Sequence, residues 1–233
     1  MMRLESVQVG HLRTAGTPNA SDPFERPWTS GIWKEPVTGP VAVGREGLEG
    51  DQIADRRHHG GTERAVLMYS GDHYAKWRSE WGRKNVGPGA FGENLTVRGI
   101  SERRVCLGDL FRIGETQLEV SSPRTPCDTL ARRHGRRDLV TVVRFNHRHG
   151  WYLRVVREGY LESGQPIELL DRPYPQWTVA RVAQVFWNRT TLVEEAGLLA
   201  ECGALIPEWR GRLATAPCAG TKVPVRVTRH SSA

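Results

Sequence analysis

The chain has 233 residues, a formal charge of +7 from 33 Lys and Arg against 26 Asp and Glu, and four cysteines. That length permits one large domain, or one of about 150 residues with an appendage, so the core needs no disulfide or metal staple. Cys106, Cys127, Cys202 and Cys218 are widely spaced and form no CxxC pair, which argues against a disulfide framework and a clustered zinc or iron–sulfur site.

No apolar run reaches signal or membrane length, so the expectation is a cytoplasmic protein without membrane contact. Basic residues are spread along the chain. The longest cluster, Arg132-Arg133-His134-Gly135-Arg136-Arg137, is not interleaved with aromatics as a stacking platform would be. The charge therefore reads as solubility and steering of a small anion, and direct nucleic-acid binding is not expected.

In chain order, residues 3–9 alternate as a strand does, and residues 1–172 as a whole are rich in glycine and short alternating segments. This predicts a mainly β, barrel-like domain in which helices are insertions. One insertion has Asp72 as cap, Tyr74, Trp77 and Trp81 at helical spacing, and Gly82 to end it; its aromatic stripe is core. A hairpin joins Leu110-Phe111-Arg112-Ile113 through Gly114-Glu115 to a strand from Thr116 to Val120, with a type II′ turn and with Thr116, Leu118 and Val120 on one face. That strand runs into Ser121-Ser122-Pro123-Arg124-Thr125-Pro126-Cys127. Residues 138–146 fit either a strand or a short buried helix on propensity. Two prolines in residues 171–176 mark a boundary, with 173–177 as linker. Residues 178–213 then read as a three-helix unit: Thr178 caps the first helix, Thr191 with Glu194 makes a capping box for a second ending at Gly197, and Pro207 opens a third through Trp209 to Leu213. Such a unit is too small to stand without docking, and offers a contact surface for a homodimer. Residues 214–233 have no usable periodicity and read as a flexible tail.

Cys127 is the residue best placed for chemistry. It sits in a stretch that two prolines stiffen, beside Arg124, whose charge favours the thiolate, the form that attacks electrophiles or binds a soft metal. The alternative is a small hydrophobe in a barrel wall. Upstream, Gly47-Leu48-Glu49-Gly50-Asp51 leads to Asp55-Arg56-Arg57-His58-His59-Gly60-Gly61, where backbone N–H groups with Arg56, Arg57 or His59 can hold an anion. Glu93 and Asn94 sit between apolar neighbours and must be hydrogen-bonded, orienting a ligand or closing a turn. On the strand from Trp151 to Val155, Tyr152 and Arg154 share a face that can point toward a site. His147 and His149 have no third ligand to make a zinc site.

The ordered set Gly47-Leu48-Glu49-Gly50-Asp51, His59-Gly60-Gly61, Arg64-Ala65, His73-Tyr74, Phe91-Gly92-Glu93-Asn94-Leu95, Val105-Cys106-Leu107-Gly108-Asp109, Pro123-Arg124-Thr125-Pro126-Cys127 and Gly150-Trp151-Tyr152 resembles the MOSC domain. Within that superfamily it is similar to the bacterial proteins associated with resistance to 6-N-hydroxylaminopurine, which carry a C-terminal three-helix unit. The resemblance implies a β-barrel, a bound molybdenum cofactor (molybdopterin), a family-level association with pyridoxal phosphate, and reduction of small N-hydroxylated substrates to amines. It places Cys127 as the molybdenum ligand and catalytic thiolate, and nominates His59, Asn94, Arg124, Thr125 and Arg154 for the cofactor or substrate. It also makes residues 138–146 a helix. Met68 precedes Tyr69 where many members carry histidine, so a histidine-dependent step at that position is not expected.

The sequence has no GxGxxG fingerprint, so electrons are expected from an external donor protein. Two other functions fit the same residues: a non-catalytic carrier of the cofactor, or of sulfur as a Cys127 persulfide, and a metal-free thiol enzyme pairing Cys127 with a histidine.

Overall fold

The structure is a computed structural model and describes residues 1–215; the expected tail from residue 216 on, with Cys218, lies outside the described residues. The chain forms β1 (Arg3–Gly10), β2 (Arg13–Ala15), β3 (Trp28–Ser30), β4 (Lys34–Pro36), β5 (Val41–Gly44), β6 (Gly47–Leu48), α1 (Arg56–His59), β7 (Val66–Ser70), α2 (Tyr74–Trp81) and β8 (Leu95–Arg98). It continues through β9 (Leu110–Ile113), β10 (Thr116–Pro123), α3 (Asp128–His134), α4 (Leu139–Asn146), β11 (Trp151–Arg157), β12 (Gly159–Leu161), β13 (Ile167–Asp171), α5 (Val179–Trp187), α6 (Val193–Ala200) and α7 (Pro207–Ala214).

Eight strands form one sheet in the order β13-β9-β10-β11-β7-β8-β1-β4, with β7 and β8 parallel and the other pairs antiparallel. The sheet curls so that the chain entering β13 at one edge reaches β1, the strand beside the other edge. Leu4 N–H donates to the Gln165 carbonyl at 2.9 Å, Gly164 N–H to the Leu4 carbonyl at 2.7 Å and Ile167 N–H to the Met2 carbonyl at 3.1 Å, tying β1 to the chain entering β13. This is the mainly β, curled architecture that the alternating segments predict.

The β9–β10 hairpin follows its pattern: Gly114 has φ of 57° and Glu115 a negative φ, as a type II′ turn requires. Thr116, Leu118 and Val120 are buried and Gln117 and Glu119 half-buried. The aromatic insertion is α2, with Tyr74 and Trp77 fully buried and Gly82 ending it in the left-handed region. Asp72 does not cap α2. Its carboxylate accepts from Gly99 N–H at 3.0 Å and pairs with Arg98, long-range partners that local sequence does not show. Residues 138–146 resolve as the helix α4.

Thr178 caps α5, accepting from Arg181 N–H at 3.2 Å, and Pro207 opens α7. The capping box at Thr191 is absent: its hydroxyl donates back to the Asn188 carbonyl at 2.9 Å, and α6 runs through Gly197 to Ala200. One apolar core spans the sheet and these helices. It joins Val105, Leu107 and Val120 to Val179, Val182, Phe186, Leu199 and Trp209, with the Phe186 and Trp209 rings stacked at 3.6 Å.

The fold's most demanding polar group is Glu93. Fully buried, its carboxylate accepts from Tyr74 Oη, from Thr96 Oγ1 at 2.8 Å, and from the N–H groups of Gly89 at 2.7 Å and Phe91 at 3.0 Å. Replacing it strands four buried donors at once. Glu93→Ala is expected to cost about 3 kcal/mol or more in urea unfolding with an unchanged m-value; a loss below about 1 kcal/mol would mean that water replaces the carboxylate.

Candidate functional site

Strand β10 delivers the cysteine. Its ladder with β11 slips register between Val120 and Ser122, after which Ser121, Ser122 and Pro123 are all buried in place of the earlier alternation. Pro123 pairs with Trp151, and Arg124 N–H donates to the Gly150 carbonyl at 3.1 Å. The chain then leaves the sheet, and Cys127, in extended conformation, stands at the N-terminus of α3.

Cys127 borders a cavity of about 140 Å³. One wall is the segment from β3 to β4, where the backbone passes so close to a neighbouring strand connection that a Cβ on Gly31 would lie 1.8 Å from the Gln52 carbonyl oxygen. The lining also includes His59, at the end of α1, Arg64, Arg124 and Tyr152. Burial pushes the Cys127 thiol up, but a hydrogen bond with the His59 ring, the charges of Arg124 and His59, and the Leu130 N–H outweigh it and bring the thiol to about 6. At Cys106 and Cys202 burial outweighs the groups that favour the thiolate, Arg172 at the first and the N–H groups of Ala204 and Leu205 at the second, and both thiols are pushed up. Cys127 is thus the described cysteine set up to be a thiolate at neutral pH.

Arg124 is only 4% exposed, and its Nε and Nη1 have no hydrogen-bond partner. Burial makes the Tyr152 proton harder to lose, against the pull of the nearby Arg124 charge. The lining also carries a second charge arrangement. Lys34, buried, pairs with Asp51, which also accepts from Gly10 N–H at 2.7 Å and from Asn94 Nδ2 at 2.9 Å. Asn94 Oδ1 accepts in turn from Leu67 N–H at 3.1 Å. Burial pushes the Lys34 ammonium down, against the pull of Asp51. Asp51 and Asn94 are therefore tied to the protein, and Lys34, with three N–H groups and one carboxylate partner, has donors left for a ligand.

The cavity unites Cys127, His59, Arg124 and Asn94 from the sequence reading. Thr125 does not line it: it is exposed, and Thr129, one helical turn beyond, takes that place. Arg154 is also elsewhere. It shares a face of β11 with Tyr152, but two residues along a strand is about 7 Å, and there its guanidinium is captured by Glu63 at 2.6 Å and Glu119 at 2.5 Å. His149 is buried against the Gly150 carbonyl at 2.7 Å, pushed down to about 4 by burial, and lies with His147 outside the cavity. No group of three or more His, Cys, Asp or Glu able to hold a metal ion occurs among the described residues. Met68 is a core residue. Sequence reasoning does not find Lys34, which has no motif signal, and sees Arg64 and Tyr152 only as neighbours of better-marked residues.

A curled mixed sheet that sets a tuned thiolate in a cation-lined cavity defines the class. Residues 55–168 match the MOSC domain. Over 183 residues the chain is 33% identical to Protein YiiM of Escherichia coli (strain K12), covering 77% of this chain and 81% of that one. It is 42% identical over 181 residues to a protein of Gibberella moniliformis named Reductase, but spans only 31% of that protein's length. The crystal structure of YiiM from Geobacillus stearothermophilus superposes with a TM-score of 0.76 at 31% identity, covering 92% of this chain and 98% of that one. The chain belongs to the MOSC family and is of the YiiM type.

The thiol's environment predicts its reactivity. Peptide-resolved alkylation with iodoacetamide should give Cys127 a pH midpoint near 6, and His59→Gln should move that midpoint upward by about one unit. A midpoint near the ordinary value of about 8.5 in the unaltered chain would show that the His59 and Arg124 contacts do not act on the sulfur.

Proposed function

We propose that this chain binds the molybdenum cofactor and reduces N-hydroxylated bases and related compounds to amines, with the Cys127 thiolate as the protein's ligand to molybdenum. Arg124 carries the reading: a buried guanidinium with two unpartnered nitrogens, in the wall of the cavity that Cys127 borders. A cation so placed is satisfied by an anion, and the pterin phosphate of the cofactor is one. The free donors of Lys34 and the charge of Arg64 add to the same demand. A thiolate is also the soft ligand that a dithiolene-bound metal accepts. These residues fit the group. The name of the Gibberella relative, Reductase, supports the same class of chemistry.

When bound, the cofactor supplies the two-electron chemistry that breaks the N–O bond. The net change turns an N–OH group, two electrons and two protons into an amine and water, with the electrons coming from an external donor protein. The chain's own residues bind and orient. Arg124, Arg64 and His59 hold anionic groups, with Tyr152 beside them in the lining. Lys34, steadied by Asp51 and through it by Asn94, offers N–H groups to the substrate oxygen. The His59 contact with Cys127 favours one rival, a metal-free thiol enzyme using that pair.

Metal and pterin analysis decides between them. Protein from molybdopterin-competent cells should carry molybdenum and pterin together and reduce an N-hydroxylated purine with an artificial electron donor. Cys127→Ala should lose the metal or change its spectroscopy, and Arg124→Met should lower pterin content. Full activity in protein from cells unable to make molybdopterin, or stoichiometric molybdenum with unchanged spectroscopy in Cys127→Ala, would overturn the proposal.

A further inference from the structure

Arg64 lines the cavity, yet the carboxylate paired with it belongs to the far end of the chain: Glu208 on α7 meets its Nη2 at 2.5 Å. The 3₁₀ turn that carries it, Thr62–Arg64, buries none of its own residues and has no side-chain cap. What holds it comes from outside. The Glu63 carbonyl accepts from Ser121 Oγ on β10 at 2.6 Å, and the Glu63 carboxylate from Arg154 Nη2 on β11. The same Arg154 nitrogen donates to the Ala204 carbonyl at 2.9 Å, and Ile206 N–H donates to the Ser121 carbonyl at 3.2 Å, so the connection between α6 and α7 is tied in alongside.

We propose that the C-terminal helices are part of the cavity's anion-binding apparatus, with Arg64 as a binding residue and Arg154 and Glu208 as positioning residues that hold it in the wall. Glu208 occupies one edge of the Arg64 guanidinium. A guanidinium has five N–H donors in a rigid fork, so the pairing leaves others for a ligand. The side chain of Arg64 is 14% exposed and that of Glu208 52%, which puts the ligand end of the pair inside and the helix end outside. Because coupling between two sites is reciprocal, an anion that needs Arg64 in place stabilises the seat of α7 in turn. The inference rests on the cavity being an anion site and not on the redox chemistry proposed for it.

Opposite signs distinguish positioning from simple charge. Removing the Glu208 carboxylate takes away a negative charge near the cavity, which by itself tightens an anion; loss of positioning weakens it. Titration calorimetry of full-length protein made without molybdopterin, with inorganic phosphate as probe, is expected to show weaker binding by about fivefold in Glu208→Ala and Arg154→Met. Glu208→Gln and Arg154→Lys should restore part of the loss, and Arg64→Gln should lose at least as much. Hydrogen exchange should quicken over residues 59–64 in both positioning variants, and phosphate should slow exchange over α7 in the unaltered chain. Glu208 is half-exposed, so its variant keeps the test if Arg154→Met does not fold. Unchanged or tighter phosphate binding in Glu208→Ala overturns the proposal. Absence of phosphate binding by the unaltered chain also overturns it, while reductase activity is judged separately by the cofactor-loaded protein.

Discussion

An arginine side chain taken out of water with two nitrogens unsatisfied carries a penalty of several kcal/mol, and a fold keeps it only where something else gains. At Arg124 the gain is electrostatic control of the sulfur three residues on. The guanidinium pulls the Cys127 thiol toward its anion, and the anion in turn gives the guanidinium a counter-charge. The backbone around them leaves little room to relax: Arg124 N–H is fixed to the Gly150 carbonyl, Pro123 to the register of Trp151, and the Cys127 carbonyl accepts the Leu130 N–H that starts α3. The register slip in β10 matters for this reason, since it ends the alternation that would have turned one of these side chains to solvent.

The rest of the cavity is built so that its cations stay unequal. Lys34 and Arg64 each have a carboxylate partner, Asp51 and Glu208, and Asp51 also accepts from Gly10 and Asn94. Arg124 is buried with Nε and Nη1 unpartnered. The basic run after Cys127 serves a different end. Arg132 Nε donates to the Phe24 carbonyl at 2.7 Å while its guanidinium lies 5.0 Å from the Trp28 ring, and Arg133 Nη1 reaches the carbonyls of Ile32 at 2.5 Å and Gly89 at 2.6 Å. Trp28 stacks on Trp33 at 4.7 Å. These contacts clamp the segment that forms the cavity wall onto α3, the helix that begins at the cysteine. The first half of a cluster that in sequence resembles a surface charge run is thus a set of backbone clamps, while Arg136 and Arg137 pair with Asp138 and Asp22.

What the sequence makes legible follows the range of the forces involved. Gly82, Gly114, Thr178 and Pro207 each settle a boundary through their own backbone or a partner three residues away, and each is where the sequence puts it. Asp72, Thr191 and Arg154 are misread for the opposite reason: each polar side chain has a better partner than the one its local pattern suggests, two of them more than 25 residues away. The site divides in the same way. Cys127 and Arg124 lie in one stiff loop and His59 in a glycine-bracketed one, so they can be nominated directly. Lys34 and Arg64 enter only because β4 pairs with β1, and because a helix near the C-terminus supplies a carboxylate.

A single thiolate also constrains what the cavity can do. With the sulfur ionised near neutral pH it can donate to a metal, but no group of three or more His, Cys, Asp or Glu able to hold a metal ion occurs among the described residues. A structural zinc needs four protein ligands, and even a catalytic one needs about three. A metal held at Cys127 must therefore arrive with most of its coordination already filled by a non-protein ligand, and that ligand must be anionic enough to meet Arg124. On the proposed reading, those two demands, one from coordination chemistry and one from an unpartnered guanidinium, would both be met by an organic chelate that carries an anionic group. The cavity's selectivity would then lie in recognising the chelate, and the metal would follow.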